Sequence, residues 1–133
     1  MWCLLPPHGG SADGMYTFDP DASGPAGDLT GYCDMTTDGG GWTLVASYVH
    51  KAGTNSALLV RTTNLPKRGA DTLGTDEGGT ESWGHAAPSL LAKLPSNELR
   101  FTCRSSTRRR LPHRLGQLLR LRARERGTGR VGV

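Results

Sequence analysis

Three consecutive glycines, Gly39-Gly40-Gly41, separate two runs of strand-forming residues, Gly31 to Thr37 and Trp42 to Val49. Glycine reaches the positive φ that tight turns demand, so this run after Asp38 folds the chain back on itself. The two flanking runs are therefore expected as antiparallel neighbours. Met15 to Asp19 adds another run of aromatic and β-branched residues, followed by the turn-forming stretch Asp19-Pro20-Asp21-Ala22-Ser23-Gly24-Pro25. Residues 13–49 thus read as an antiparallel meander. Along its last strand Trp42, Leu44, Ala46 and Tyr48 alternate with Thr43, Val45 and Ser47, and the Trp42 face is expected to be the core face.

The next segment is quieter. Residues 50–85 hold few large apolar side chains and much Gly, Thr and Asn, so they read as a long loop with one short strand at Ala57–Arg61. Ala87 to Leu94 suits a short helix, with Pro88 in its first turn and Leu90, Leu91 and Leu94 turned inward. Glu98 to Cys103 reads as a further strand. The expected fold class is α+β, a small antiparallel β-meander with one short helix. At 133 residues and 35% hydrophobic content the chain has room for one ordinary domain. No apolar run approaches the roughly 18 residues of a membrane-spanning helix.

Charge divides the chain in two. Residues 1–103 carry six Lys or Arg against eleven Asp or Glu, a net of −5, whereas residues 104–133 carry ten Arg and the single acid Glu125, a net of +9. Such asymmetry marks a basic tail, expected from residue 104 onward as disordered or helical. Leu111, Leu115, Leu118 and Leu119 recur at helical spacing, which suits a basic amphipathic helix and makes an anionic membrane surface one expected partner. The run Arg108-Arg109-Arg110 could neutralise phosphates, but the tail lacks the aromatic residues of single-strand binders and any groove-reading motif, so it is not read as a nucleic-acid arm. Lysine-free, arginine-rich composition is also what GC-rich DNA yields out of frame, so a shifted reading frame is a further expectation for this tail.

Other chemistry is sparse. Cys3, Cys33 and Cys103 form no CxxC and no histidines stand at zinc-ligand spacing, so no structural metal is expected. An odd number of cysteines allows at most one internal disulfide. Asp19 with Asp21, and Asp76 with Glu77 and Glu81, lack EF-hand spacing and read as solvated turns. Gly127-Thr128-Gly129-Arg130-Val131-Gly132 fits GxGxxG, but no strand is expected before it. His8, His50, His85 and His113 lie near no nucleophile pattern and read as surface histidines. Trp83, in Glu81-Ser82-Trp83-Gly84-His85, reads as a buried anchor or, less ordinarily, a sugar-stacking ring. No catalytic constellation is visible, and an enzyme is not expected. Trp2 to Leu5 is too short for the apolar core of a secretion signal, which leaves a cytosolic protein or a true start further upstream.

The block Tyr32-Cys33-Asp34-Met35-Thr36-Thr37-Asp38-Gly39-Gly40-Gly41-Trp42-Thr43-Leu44-Val45 resembles the N-terminal part of fibrinogen-related domains, the family of fibrinogen C-terminal domains, ficolins and intelectins. Asp13-Gly14-Met15-Tyr16-Thr17-Phe18-Asp19-Pro20 looks like that family's glycine–aromatic strand, and Cys3 stands where the family places its first cysteine. The likeness covers residues 3–49 well and 85–103 faintly. It implies that residues 1–103 are a partial fibrinogen-related domain resembling the family's N-terminal subdomain. It also implies a Cys3–Cys33 bridge, two reduced thiols being the alternative at this point. Gly39, Gly40 and Gly41 would make the turn and leave room for the Trp42 indole.

Function follows from the same resemblance. It implies an extracellular, secreted, lectin-like module that binds carbohydrate or acetylated ligands, often with calcium. The family's calcium loop and ligand pocket lie beyond the matched segment, so no calcium or other cofactor is expected and no ligand-binding residue is transferred. The expected module is therefore incomplete and inactive by itself. The alternative is a structural or surface-interaction protein whose basic tail binds anionic membrane.

Overall fold

The computed structural model of the chain describes residue 3 and residues 12–21, 24–51, 53–68, 77–105 and 114–122. The described strands are β1 (Gly14–Phe18), β2 (Leu29–Asp34), β3 (Trp42–Lys51), β4 (Val60–Arg61), β5 (Gly84–Ala86), β6 (Glu98–Ser105) and β7 (Arg114–Arg122). Among the described residues there is one α-helix, α1 (Pro88–Leu91). The result is a small β-rich α+β fold, with all seven strands in one mostly antiparallel sheet.

β3 is the hub of that sheet. One of its edges meets β2 at Trp42 and Thr43, then β5 at Ala46 and Ser47. Its other edge meets β7 from Thr43 to Lys51. β1 pairs with β2 and β6 with β7, both antiparallel, while β4 pairs with β5 in parallel. Thr17 and Thr30, directly opposite in β1 and β2, join hydroxyls at 3.0 Å.

The link from β2 to β3 is a single 3-10 turn, Thr37–Gly39, closed by Gly40 N donating to Thr37 O at 2.9 Å. Gly40 has φ of 75°, and a Cβ there would lie 2.3 Å from the Met35 carbonyl oxygen, so only glycine fits. Trp42, 5% exposed, seals the turn by donating its indole N–H to Thr37 O at 2.9 Å.

Cys3 and Cys33 form a disulfide with Cα atoms 5.5 Å apart, and the Thr43 hydroxyl donates to Cys3 Sγ at 3.1 Å. Around it Phe18, Leu29, Met35, Val45, Leu65, Ala86, Leu90 and Leu94 make the main core. Ala46, Tyr48, Val49 and Trp83 form a second cluster, and Tyr32 with Leu44 a third. Every residue from Trp42 to Val49 is buried, which corrects the expectation of a one-sided strand. The reason is position: β3 has strands along both edges and packed side chains on both faces, so Val45 anchors the main core from the face expected to be outer.

The helix is shorter than Ala87–Leu94. Turns with Lys93 N on Leu90 O at 3.1 Å and Leu94 N on Leu91 O at 2.9 Å continue it as far as Leu94, where Pro95 disfavours helical geometry in the residue before it. Leu90 and Leu94 are buried as the spacing required, whereas Leu91, also expected inward, is only half-buried.

The expectation of a disordered or helical tail from residue 104 is corrected for the described part. β6 runs across that boundary to Ser105, and Arg114–Arg122 is a strand between β3 and β6, paired with both. A short helix carrying Gly116 is marginal, costing about 1 kcal/mol at the glycine alone. A strand there satisfies the backbone groups of two neighbouring edges at once. Residues 106–113 and 123–133, which include Arg108-Arg109-Arg110, Leu111 and the GxGxxG match, lie outside the described residues. No described helix is long and apolar enough to cross a membrane.

Candidate functional site

Val45, Ala46 and Tyr48 of β3, His85 and Ala86 of β5, Leu91 of α1 and Phe101 of β6 line a groove of about 260 Å³. The register of β3 against β7 shifts between Leu44 and Ala46, and the consecutive residues Val45 and Ala46 both reach the groove. Phe101 is 62% exposed and forms its rim. On β6 the alternate residue Arg100 points to the opposite face, where its guanidinium pairs with Asp38 at 3.0 Å and lies 5.8 Å over the Trp42 ring.

The groove has one polar end. The Tyr48 hydroxyl is hydrogen-bonded to His85 Nδ1 and lies 3.4 Å from Leu59 O. The phenol donates its one proton to Leu59 O, so the tautomer assigned from the hydrogen bonding has His85 Nδ1–H donating to the phenol oxygen and Nε2 left as an acceptor. Burial raises the Tyr48 phenol above its ordinary value against the pull of the Arg61 charge, so it remains a donor at neutral pH. Behind it stands Trp83, 2% exposed and edge-on to Tyr48 at 5.0 Å between ring centres. Trp83 is thus a buried anchor, and no sugar can stack on it.

Arg61 lies beneath this aromatic group at 5% exposure. Its Nε and Nη2 donate to Trp83 O at 2.9 and 2.6 Å, and Nη1 to Asn64 Oδ1 at 3.4 Å. Among the described residues no carboxylate forms an ion pair with it. A guanidinium stays charged at every ordinary pH, so this end of the groove sits in a positive field.

The remaining candidates sort themselves by contact. Glu77 accepts from the Thr54 hydroxyl, from Lys51 N at 3.1 Å and lies 3.4 Å from His50 Nδ1. The Thr54 bond leads in holding its carboxyl below the usual range. Asp19 accepts from Asp21 N and Asp21 from Ala26 N, both at 3.0 Å, as turn carboxylates do. Glu81 pairs with Lys67 at 2.8 Å. Among the described residues no three of His, Cys, Asp and Glu gather as metal ligands. Asp76, His8 and His113 lie outside the described residues. His85 differs from the surface histidine expected, being half-buried and bonded to Tyr48.

On the opposite face, Arg120 of β7 pairs with Asp34 at the end of β2, the two being 8% and 2% exposed. Asp34 also accepts from Thr37 N at 2.8 Å and Thr36 N at 3.2 Å. Burial alone would raise its carboxyl, but the Thr37 bonds, the Arg120 charge and the Thr36 bond prevail and hold it below the ordinary range. Arg120 therefore serves the interior of the sheet. The membrane-binding helix expected around Leu115, Leu118 and Leu119 is replaced by β7 at those residues.

The sequence readings missed Tyr48, His85, Phe101 and Arg61 as a group. Only the aromatic character of Tyr48 and Phe101 could have singled them out. The chain was compared with protein-family models, with curated proteins and with solved structures, and it matches none of them.

Proposed function

We propose that the chain is an extracellular, lectin-like recognition module rather than a catalyst, with the groove between β3, β5, α1 and β6 as its ligand seat. One observation carries the reading: an aromatic ring, Phe101, stands 62% exposed beside a groove whose far end offers a fixed imidazole. A mostly apolar concave site with a few placed polar groups is the usual form of a ligand pocket. A pyranose presents one apolar face that suits such a ring and hydroxyls that suit His85. The resemblance of Tyr32–Val45 to fibrinogen-related domains supports the secreted recognition class but not this seat, because that family's own ligand pocket lies beyond the matched segment. The Cys3–Cys33 disulfide supports an oxidising compartment, hence export.

Titration of the full chain with glucose, galactose, mannose and N-acetylglucosamine, followed by backbone amide NMR shifts, tests this. At least one sugar is expected to move the signals of Ala46, His85 and Phe101 together. Phe101→Ala is expected to weaken that binding about tenfold, a loss of roughly 1.4 kcal/mol, while leaving the melting temperature unchanged because the ring is exposed. Shifts scattered over the surface, or none with any sugar, would contradict the reading.

A further inference from the structure

β6 is an edge strand: among the described residues it pairs with β7 alone, and β7 pairs with β3 on its other side. The outer edge of a strand presents backbone N–H and C=O groups that another strand can take up, and natural edges are blunted by brevity, proline, a bulge or charge. Of these β6 has only charge. It is eight residues long, contains no proline, and keeps unbroken register against β7 from Glu98 to Ser105. Its side chains alternate across the sheet, so Leu99, Phe101 and Cys103 share one face while Arg100 turns to the other, towards Asp38 and Trp42. Leu99 and Phe101 are 63% and 62% exposed and Cys103 is exposed as well, so an apolar row borders an open edge.

From this edge and the order of its charges we infer that β6 is a homodimer contact. A second copy of the chain adds its own β6 antiparallel, so that two sheets become one, with Phe101 facing Phe101 across a two-fold axis. An axis normal to the sheet pairs only residues of the same face, so it passes beside a residue that faces its own copy. An axis at Phe101 pairs residues 98–104 with themselves and one at Thr102 pairs residues 99–105, while every other axis leaves a shorter overlap. The Thr102 axis sets Arg100 opposite Arg104, and like charges directly across a ladder are destabilising. The Phe101 axis sets Leu99 opposite Cys103, Arg100 opposite Thr102 and Glu98 opposite Arg104. Residues of opposite charge then meet at both ends, and the aromatic and apolar residues meet on one face. The charges that guard this edge against a foreign strand thus select a second copy. The contact is independent of the groove as a ligand seat, and it brings two groove rims side by side through Phe101.

Sedimentation velocity on the full chain carrying Cys103→Ser, followed to millimolar concentration, is expected to show a monomer–dimer equilibrium, the serine excluding any disulfide-linked pair. Phe101→Lys in that chain is expected to raise the dissociation constant at least about tenfold, because two lysines then meet at the axis. The melting temperature at low concentration should stay unchanged at this exposed position. Cross-linking reads the register. Residues directly opposite in an antiparallel pair have Cα atoms about 4.5 or 5.5 Å apart, both within disulfide range. Leu99→Cys with Cys103 retained is therefore expected to oxidise to a covalent dimer linked between those two positions, as read by peptide mass spectrometry. Cys103 alone is not expected to link the two copies within the dimer, since about four residues of strand, roughly 13 Å, separate the two thiols. A chain that stays monomeric throughout would overturn the contact, and so would a dimer that Phe101→Lys leaves intact. A chain that sediments as a dimer but fails to form the Leu99→Cys link would overturn the Phe101 register.

Discussion

Arg120→Ala is expected to destabilise the chain by about 3–5 kcal/mol, the cost of leaving one member of a buried ion pair without its partner. Asp34, 2% exposed, would keep its hydrogen bonds from Thr36 and Thr37 but lose the only charge opposite it in an ion pair among the described residues. Urea denaturation measures the loss directly. The double replacement Asp34→Leu with Arg120→Met is expected to recover most of it, since paired apolar groups of similar volume often substitute for a buried ion pair without net cost. The same pair sets an acid limit. The folded carboxyl of Asp34 is held below its unfolded value, so its contribution is complete above about pH 4 and is lost as pH falls through the folded value. Burial lowers the Arg120 guanidinium as well, but it starts so high that it stays charged throughout that range. An Arg120→Ala chain with unchanged stability and unchanged acid sensitivity would remove the pair from the account.

Reduction of the Cys3–Cys33 bridge is expected to have the second large effect. The bridge spans a sequence separation of 30, for which the loop-entropy model gives about 3–4 kcal/mol. Set against the roughly 5–15 kcal/mol that holds a small domain folded, that is a large share. Cys33 is also fully buried, at the point where β2 pairs with β1 through Gly14 and with β3 through Thr43. Cys33→Ser is therefore expected to lower the thermal midpoint sharply, whereas replacing the exposed Cys103 by Ser should leave it unchanged. A melt that stays the same after complete reduction would contradict the structural role of the bridge.

The parts of the fold that could be read from the residues are the local ones. The β1–β3 meander was legible because its strands are marked by aromatic and β-branched runs and its turns by Pro20, Gly24 and Gly39–Gly41. The helix was legible through Pro88 and the spacing of Leu90, Leu91 and Leu94. β7 was not. The spacing of Leu115, Leu118 and Leu119 suits a helix, and the choice of strand is made by β3 and β6, which lie far away in sequence. β5 escaped for another reason, since three residues, Gly84-His85-Ala86, are too few to show a period. The burial of both faces of β3 depends on residues far away in sequence, such as Leu90 and Leu94 clustered with Val45 and Trp83 clustered with Tyr48, and could not be read from its own alternation. The candidate site has the same character: Tyr48, Arg61, His85 and Phe101 come from four separate strands and share no motif.

The arginine-rich segment Arg114–Arg122 is an integral strand of the sheet, tied to β2 through Arg120 and Asp34. Hydrogen–deuterium exchange on the oxidised full chain tests it most directly. Amides of residues 114–122 are expected to exchange as slowly as those of Trp42–Lys51, because each strand supplies the other's hydrogen-bond partners. Exchange of residues 114–122 at the rate of an unstructured peptide, with Trp42–Lys51 still protected, would contradict it.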